Sequence, residues 1–326
     1  MSTESPENVL LVVMDTVRKD RLTPYGYDRP TTPHLADFAA EATVFDQAVA
    51  PAPWTLPVHA SLFTGLYPSQ HGADQENPYL EGATTLAETL SAAGYDTACY
   101  SSNAWITPYT HLTDGFDDQD NFFEVMPGEF LSGPLARAWK VMNDNESLRA
   151  IADKLVSLGN TAHEYLAGGE GADSKTPAVI DRTMTFLDDA DNSFAFINLM
   201  DAHQPYQAGP APQWSSGALL DRLREPDDPV WEYVGGNRPL EELRSFERAY
   251  DDAIRSIDAQ LRRLVETLAD RDELDRSLVV VTADHGEGFG EVSAVWPGRR
   301  VVGHSSGSVH DALTHVPLVV KRPGQQ

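Results

Sequence analysis

The sequence predicts a doubly wound α/β fold: a mostly parallel sheet with helices on both faces. Two observations carry this expectation. Three apolar runs, Asn8 to Met14, Phe194 to Met200 and Ser277 to Ala283, each end abruptly at Asp or His, as strands buried on both faces of a parallel sheet do when they reach the loops beyond their carboxyl ends. Between them lie stretches with helical periodicity, and alternation of strand and helix selects the α/β class.

Each element has its own signal. NVLLVVM at Asn8 to Met14 stops at Asp15, FAFINLM stops at Asp201 and His203, and SLVVVTA stops at Asp284 and His285. TLAETLSAA, from Thr85 to Ala93, reads as a helix closed by Gly94, with a strand following from Tyr95 to Tyr100. Tyr250, Ile254, Ile257, Leu261, Leu264 and Leu268 recur at spacings of four and three, the buried stripe of a long helix that leads into the Ser277 strand. In such a fold ligands gather beyond the carboxyl ends of the strands, where Asp15, His203, Asp284 and His285 would meet. Two segments break the rhythm, near 124–177 and 208–239, and read as insertions over the sheet.

Composition narrows the function. The 326 residues are 41% hydrophobic, enough for one large domain with a sizeable core. No apolar run reaches the length of a membrane span, and the N-terminus has neither the basic nor the apolar part of a secretory signal, so a cytoplasmic protein is expected. One cysteine, Cys99, leaves no disulfide framework and no cysteine-based zinc cluster. A formal net charge of −26 argues against nucleic-acid or anionic-membrane partners, and an anionic substrate would need positive charge from a metal or histidines. Against 50 Asp and Glu stand 19 Arg and only 5 Lys, a balance that resembles proteins of salt-accumulating archaea and implies a high-salt cytosol.

The segment APWTLPVHASLFTGLYPSQHG, residues 52–72, places Thr55 at the start of a helix. Unpaired N–H groups and the helix dipole favour an anion there. Thr55 could equally be a plain helix cap. The segment is similar to the sulfatase nucleophile motif, with Thr55 at the nucleophile, Pro57 at the motif proline, and Thr64-Gly65, Tyr67-Pro68 and His71-Gly72 in its tail. Asp15 in MDTVRKDRL, DAHQPY at 201–206, DHGE at 284–287, and Gly303-His304 with His310-Asp311 and His315-Val316-Pro317-Leu318 resemble further motifs of that family in family order. On these motifs the chain resembles a sulfatase of the alkaline phosphatase superfamily over nearly its whole length, as a single catalytic domain whose usual C-terminal subdomain is absent or truncated.

The resemblance implies a divalent cation among Asp15, Thr55, Asp284 and His285, with Thr55 as metal-activated nucleophile. His203 and His304 are implied to hold the substrate or protonate the leaving group, and His59 and Asn103 to bind substrate. A histidine ligand suits Mn²⁺ or Zn²⁺, with Ca²⁺ or Mg²⁺ possible. Departures bear on the chemistry. Thr16 stands where sulfatases have a second aspartate, His59 replaces the motif arginine, and Ser102 or Asn103 replaces the expected lysine. With one carboxylate fewer, the ligand set resembles that of lipoteichoic acid synthases, which use a Thr nucleophile and one metal, and threonine cannot become formylglycine. The reading is a hydrolase of sulfate or phosphate esters on a small molecule, glycan or lipid. A phosphotransferase, a sugar-phosphate mutase or a non-catalytic anion-binding descendant are the alternatives, and oligomeric state is not specified.

Overall fold

The computed structural model describes residues 6–122, 174–190, 192–218, 233, 237–293, 298–304 and 309–325. A seven-stranded sheet runs through it, in the order β2-β9-β6-β1-β5-β3-β4. Its strands are β1 (Asn8–Met14), β2 (Thr43–Val44), β3 (Asp96–Ser101), β4 (Asp118–Asn121), β5 (Ser193–Leu199), β6 (Ser277–Thr282) and β9 (Leu318–Lys321). β6, β1, β5, β3 and β4 pair in parallel, while β9 pairs antiparallel with β6 and with the short β2. The doubly wound, mostly parallel α/β fold expected from the sequence is the one observed. β4, sequence DQDN, gave no apolar signal because it lies at the sheet edge and exposes its middle residues.

Helices cover both faces: α1 (Pro33–Ala39), α2 (Thr55–Thr64), α3 (Pro68–His71), α4 (Leu86–Ala92), α5 (Thr176–Asp189), α6 (Leu243–Asp270) and α7 (Asp311–Thr314). Successive side chains of a strand point to opposite faces, so β1 serves two cores. Leu10, Val12 and Met14 join a cluster with Leu35 and Phe38 of α1, Ile180 of α5 and Ile254, Ile257 and Leu261 of α6. Leu11 and Val13 join the other, with Leu56, Ala60 and Phe63 of α2 and Ala87 of α4. α4 starts with a capping box in which Thr85 accepts from the Glu88 amide and the Glu88 carboxylate accepts from the Thr85 amide. Most of the insertion expected at 124–177 lies outside the described residues. Its last two positions, Thr176 and Pro177, open α5, where Pro177 stands in the first turn as helices tolerate it. Of the segment 208–239 only 208–218, 233 and 237–239 are described.

Parallel register delivers the chemistry. Met14 lies opposite Leu199, and Val13 opposite both Asn198 and Thr282, so the loops after β1, β5 and β6 leave the sheet at one edge. Past the DHGE segment the chain forms a separate ribbon of β7 (Phe289–Val292) with β8 (Arg300–Val302). Gly288 and Gly303 exchange backbone hydrogen bonds of 3.2 and 2.9 Å at its end, which brings Glu287 beside His304. Gly286 is required by close approach, since a Cβ there would sit 2.0 Å from the Ala312 carbonyl oxygen. Gly286→Ala must therefore push the Asp284–Glu287 loop off the α7 segment; we expect it to cost about 1–3 kcal/mol, measured by denaturant unfolding, and a variant as stable as the parent would contradict that packing.

Candidate metal centre and active site

Two aspartates at adjacent strand ends share one design. Asp15 is fully buried, and its Oδ2 accepts from Asn103 Nδ2 at 2.8 Å and Asn198 Nδ2 at 3.0 Å. Asp284 is fully buried too, and its Oδ1 accepts from the amides of Thr16 at 3.0 Å and His285 at 2.8 Å. In each carboxylate one oxygen is saturated by two N–H donors. The other, Asp15 Oδ1 or Asp284 Oδ2, has no hydrogen-bond partner.

His285 completes the set. Its Nδ1 donates to the Gly286 carbonyl at 2.9 Å, which makes Nε2 the unprotonated nitrogen of the neutral ring. Burial, reinforced by the charge of His304, pushes this imidazole down to about 3, so it is neutral at physiological pH. Asp15, Asp284 and His285 each offer a ligand atom within 4.8 Å of the others, a spacing that one cation at ordinary ligand distances can bridge. Buried carboxylates without a counter-charge are costly, and among the described residues neither Asp15 nor Asp284 forms an ion pair with lysine or arginine. Two bare carboxylate oxygens and an unprotonated imidazole nitrogen fit a divalent cation.

Thr55 lies against this cluster. It is 4% exposed and opens α2, with its Oγ1 3.3 Å from His285 Nε2. Trp54 takes the cap position of that helix, and the Thr55 hydroxyl is turned to the histidine instead of to an amide of its own helix. His59, one turn on, is fully buried; its Nδ1 donates to the Thr55 carbonyl at 2.9 Å and lies 3.9 Å from Asp284 Oδ2. Its Nε2 faces Asn198 Nδ2 at 3.4 Å, and its ring meets Phe196 edge-on. Asn103 is 3% exposed, with its amide committed to Asp15 and its Oδ1 accepting from the Trp105 amide. Both side chains thus help to hold Thr55 and Asp15 in place.

His203 and His304 stand on the other side. Their ring centroids are 5.0 Å apart, and that of His304 is 4.7 Å from His285. The Nδ1 of His203 donates to the Gln204 carbonyl at 2.7 Å, and the Nδ1 of His304 meets Glu287 Oε2 at 3.1 Å; among the described residues neither Nε2 has a hydrogen-bond partner. Burial alone would lower His304; Glu287 overrides it and, with Asp15 and Asp284, raises the imidazole to about 9. Burial would likewise raise Glu287, yet the facing histidines hold it below the usual glutamate range. Asp201 sits behind this loop, where burial raises its pKa and Thr176 at the start of α5 donates to it.

Two groups escaped the sequence reading. Asn198 is a polar residue inside the apolar run FAFINLM, and that interruption is the signal by which it could have been found. Glu287 belongs to a recognised motif, but nothing in sequence says that it faces His304, because a ribbon of two short strands makes the contact.

The Glu287–His304 pair has a pH signature. A histidine raised in the folded state contributes stability that is complete below its unfolded value, about 6.5, and is lost as pH rises through its folded value of about 9. In EDTA the protein should lose stability across that window, and Glu287→Gln should flatten the loss; identical slopes for the two proteins would sink the assignment.

The sulfatase family model matches residues 7–326. An arylsulfatase of Clostridium perfringens is 23% identical over 97% of this chain, and an ulvan-active sulfatase of Formosa agariphila is 27% identical over 97%. This chain spans 69% of the first protein's length and 56% of the second's. Among solved structures, the phosphonate monoester hydrolase of Agrobacterium radiobacter superposes with a TM-score of 0.64 at 21% identity, covering 98% of this chain and 68% of its own. A protein determined in complex with D-glucosamine-2-N,6-O-disulfate superposes with a TM-score of 0.65 at 17% identity, covering 98% of this chain and 72% of its own. Matched by its family model from the first strand to the last residue, the chain belongs to the sulfatase family of the alkaline phosphatase superfamily.

Proposed function

We propose that the chain is a metal-dependent hydrolase of sulfate or phosphate esters, with Thr55 as the nucleophile that carries the covalent intermediate. The observation that carries this reading is the meeting of Thr55 Oγ1 with the His285 Nε2 of a cluster whose two carboxylates each keep one bare oxygen. Asp15, Asp284 and His285 would hold one divalent cation, with Thr55 as a fourth ligand. The imidazole donor favours Mn²⁺ or Zn²⁺ over Ca²⁺, which takes an all-oxygen shell. When bound, the cation would supply Lewis acidity, lowering the pKa of the Thr55 hydroxyl and neutralising charge on the transferring group.

The chain's own residues account for the rest. The free N–H groups at the start of α2 face the anion, and His59 fixes the Thr55 backbone from within the helix. Thr55 gives up its hydroxyl proton to solvent, and its oxygen bonds to sulfur or phosphorus as the bond to the leaving alcohol breaks. His304, aligned by Glu287, hands that alcohol a proton from Nε2, and His203 beside it binds an oxygen of the transferring group. Water then attacks the sulfur or phosphorus of the threonyl ester, losing a proton to His304, and the bond to Thr55 breaks as its oxygen takes a proton back from solvent. A threonyl ester has no aldehyde exit of the kind open to formylglycine. Its second step depends on attack by water, which favours phosphate esters and phosphodiesters as substrates.

The excess of carboxylates supports a protein that works in high salt. Its melting temperature is then expected to climb from millimolar to molar KCl, and a flat or falling profile would refute that reading. For the chemistry, we expect Thr55→Ala to reduce turnover of an aryl phosphate, phosphodiester or aryl sulfate with Mn²⁺ present by at least roughly a thousandfold. Thr55→Ser should retain part of the rate, and a Thr55→Ala protein that turns over at the parental rate would remove Thr55 as nucleophile.

A further inference from the structure

Three loops build the centre, and one side chain outside it touches all three. Tyr250 lies in the N-terminal third of α6 and is completely buried. Its hydroxyl donates to the Thr16 carbonyl at 2.7 Å and accepts from the Arg18 amide at 2.8 Å. Its ring packs edge-on against Tyr206, centroids 5.5 Å apart, and against Phe289 at 5.0 Å. Tyr206 closes the loop that carries His203, and Phe289 stands two residues beyond Glu287.

The backbone at Thr16 shows what that hydroxyl has to hold. Thr16 has φ of 59°, a left-handed conformation that costs a β-branched residue about 1–2 kcal/mol or more. Two contacts follow from this turn: the Thr16 amide reaches Asp284 Oδ1, and the Thr16 hydroxyl reaches the Ala202 carbonyl at 2.7 Å. Relaxing the turn would release the amide that fixes Asp284 and rotate Asp15, one residue earlier. The Tyr250 hydroxyl bonds the turn on both sides, at the carbonyl of Thr16 and the amide of Arg18.

We infer that Tyr250 is a positioning residue for the metal centre: its hydroxyl locks the Asp15–Arg18 turn, so that the bare oxygens of Asp15 and Asp284 stand at coordination spacing before a cation arrives. The inference rests on the metal-centre reading proposed above. It assigns Tyr250 no contact with substrate or cation.

Tyr250→Phe keeps the ring and deletes both hydrogen bonds. Titration calorimetry of the metal-free protein with Mn²⁺ is expected to show affinity falling by about 10–100-fold, the range typical of lost outer-shell support. Circular dichroism and the melting temperature in EDTA report separately whether the variant folds. Parental Mn²⁺ affinity in folded Tyr250→Phe overturns the inference. Asp284→Asn serves as the control, since parental affinity there overturns the metal-centre reading itself, while its loss beside an unaffected Tyr250→Phe sinks only the role of Tyr250. Hydrogen exchange of the Arg18 amide in the parent, without metal, tests the same lock should Tyr250→Phe fail to fold. Slow exchange supports a turn set in advance, and exchange at the rate of an open loop overturns it.

Discussion

Two buried carboxylates, each with one oxygen saturated and one left bare, are the constraint around which the molecule is arranged. Four N–H donors converge on the saturated oxygens, two from side-chain amides and two from the backbone. Such donors stabilise ionised carboxylates and fix their orientation, but they supply no full positive charge. Bringing Asp15 and Asp284 within ligand spacing of each other then stores mutual repulsion, which a divalent cation relieves. On the proposed reading folding and cation binding would be linked: a site held open at an energetic cost would bind its ion with the energy that the relief returns.

That constraint explains where polar residues interrupt apolar elements. Asn198 breaks a strand otherwise made of Phe, Ala, Ile and Leu, and it does so at the register position opposite Val13, two residues before Asp15. A buried asparagine in the centre of a sheet would be a liability without partners; here one amide group serves Asp15 and faces His59. Glu287 follows the same logic. Burial disfavours its charge, and the facing His304 restores it. Each imidazole near the cluster has its Nδ1 engaged, His285 and His203 by backbone carbonyls, His59 by the Thr55 carbonyl and His304 by Glu287.

Much of this was legible in sequence, and the physical reason is periodicity. Continuous apolar runs announce strands buried on both faces, so β1, β5 and β6 could be placed to within a residue, and the abrupt Asp or His at each end marked the edge where the candidate metal centre lies. The helical stripe from Tyr250 to Leu268 was equally plain, since α6 repeats it over several turns. Contacts set by register or by tertiary closure were not. No local pattern tells that Asn103 bonds to Asp15 across 88 residues, or Thr16 to Asp284 across 268. Tyr250 is the sharpest case: its spacing identified it as core, and core it is, yet its hydroxyl carries a task that periodicity cannot express.

The remaining tension is between the surface and the site. A chain of net charge −26 repels anions at long range, while the start of α2 and the His203–His304 pair present hydrogen-bond donors to one. The two act over different distances. At ~1 M ionic strength the Debye length is ~3 Å, against ~10 Å at 0.1 M, so a carboxylate shell that would turn an anionic ester away in dilute buffer becomes nearly invisible to it in concentrated salt. Contacts inside the centre lie at hydrogen-bond distance between buried groups, and salt weakens them far less. An acidic surface and the proposed anion-binding site are therefore compatible on one condition, that the solvent screens the first without reaching the second, and the burial of Asp15, Asp284 and His285 meets the part of that condition that lies within the protein.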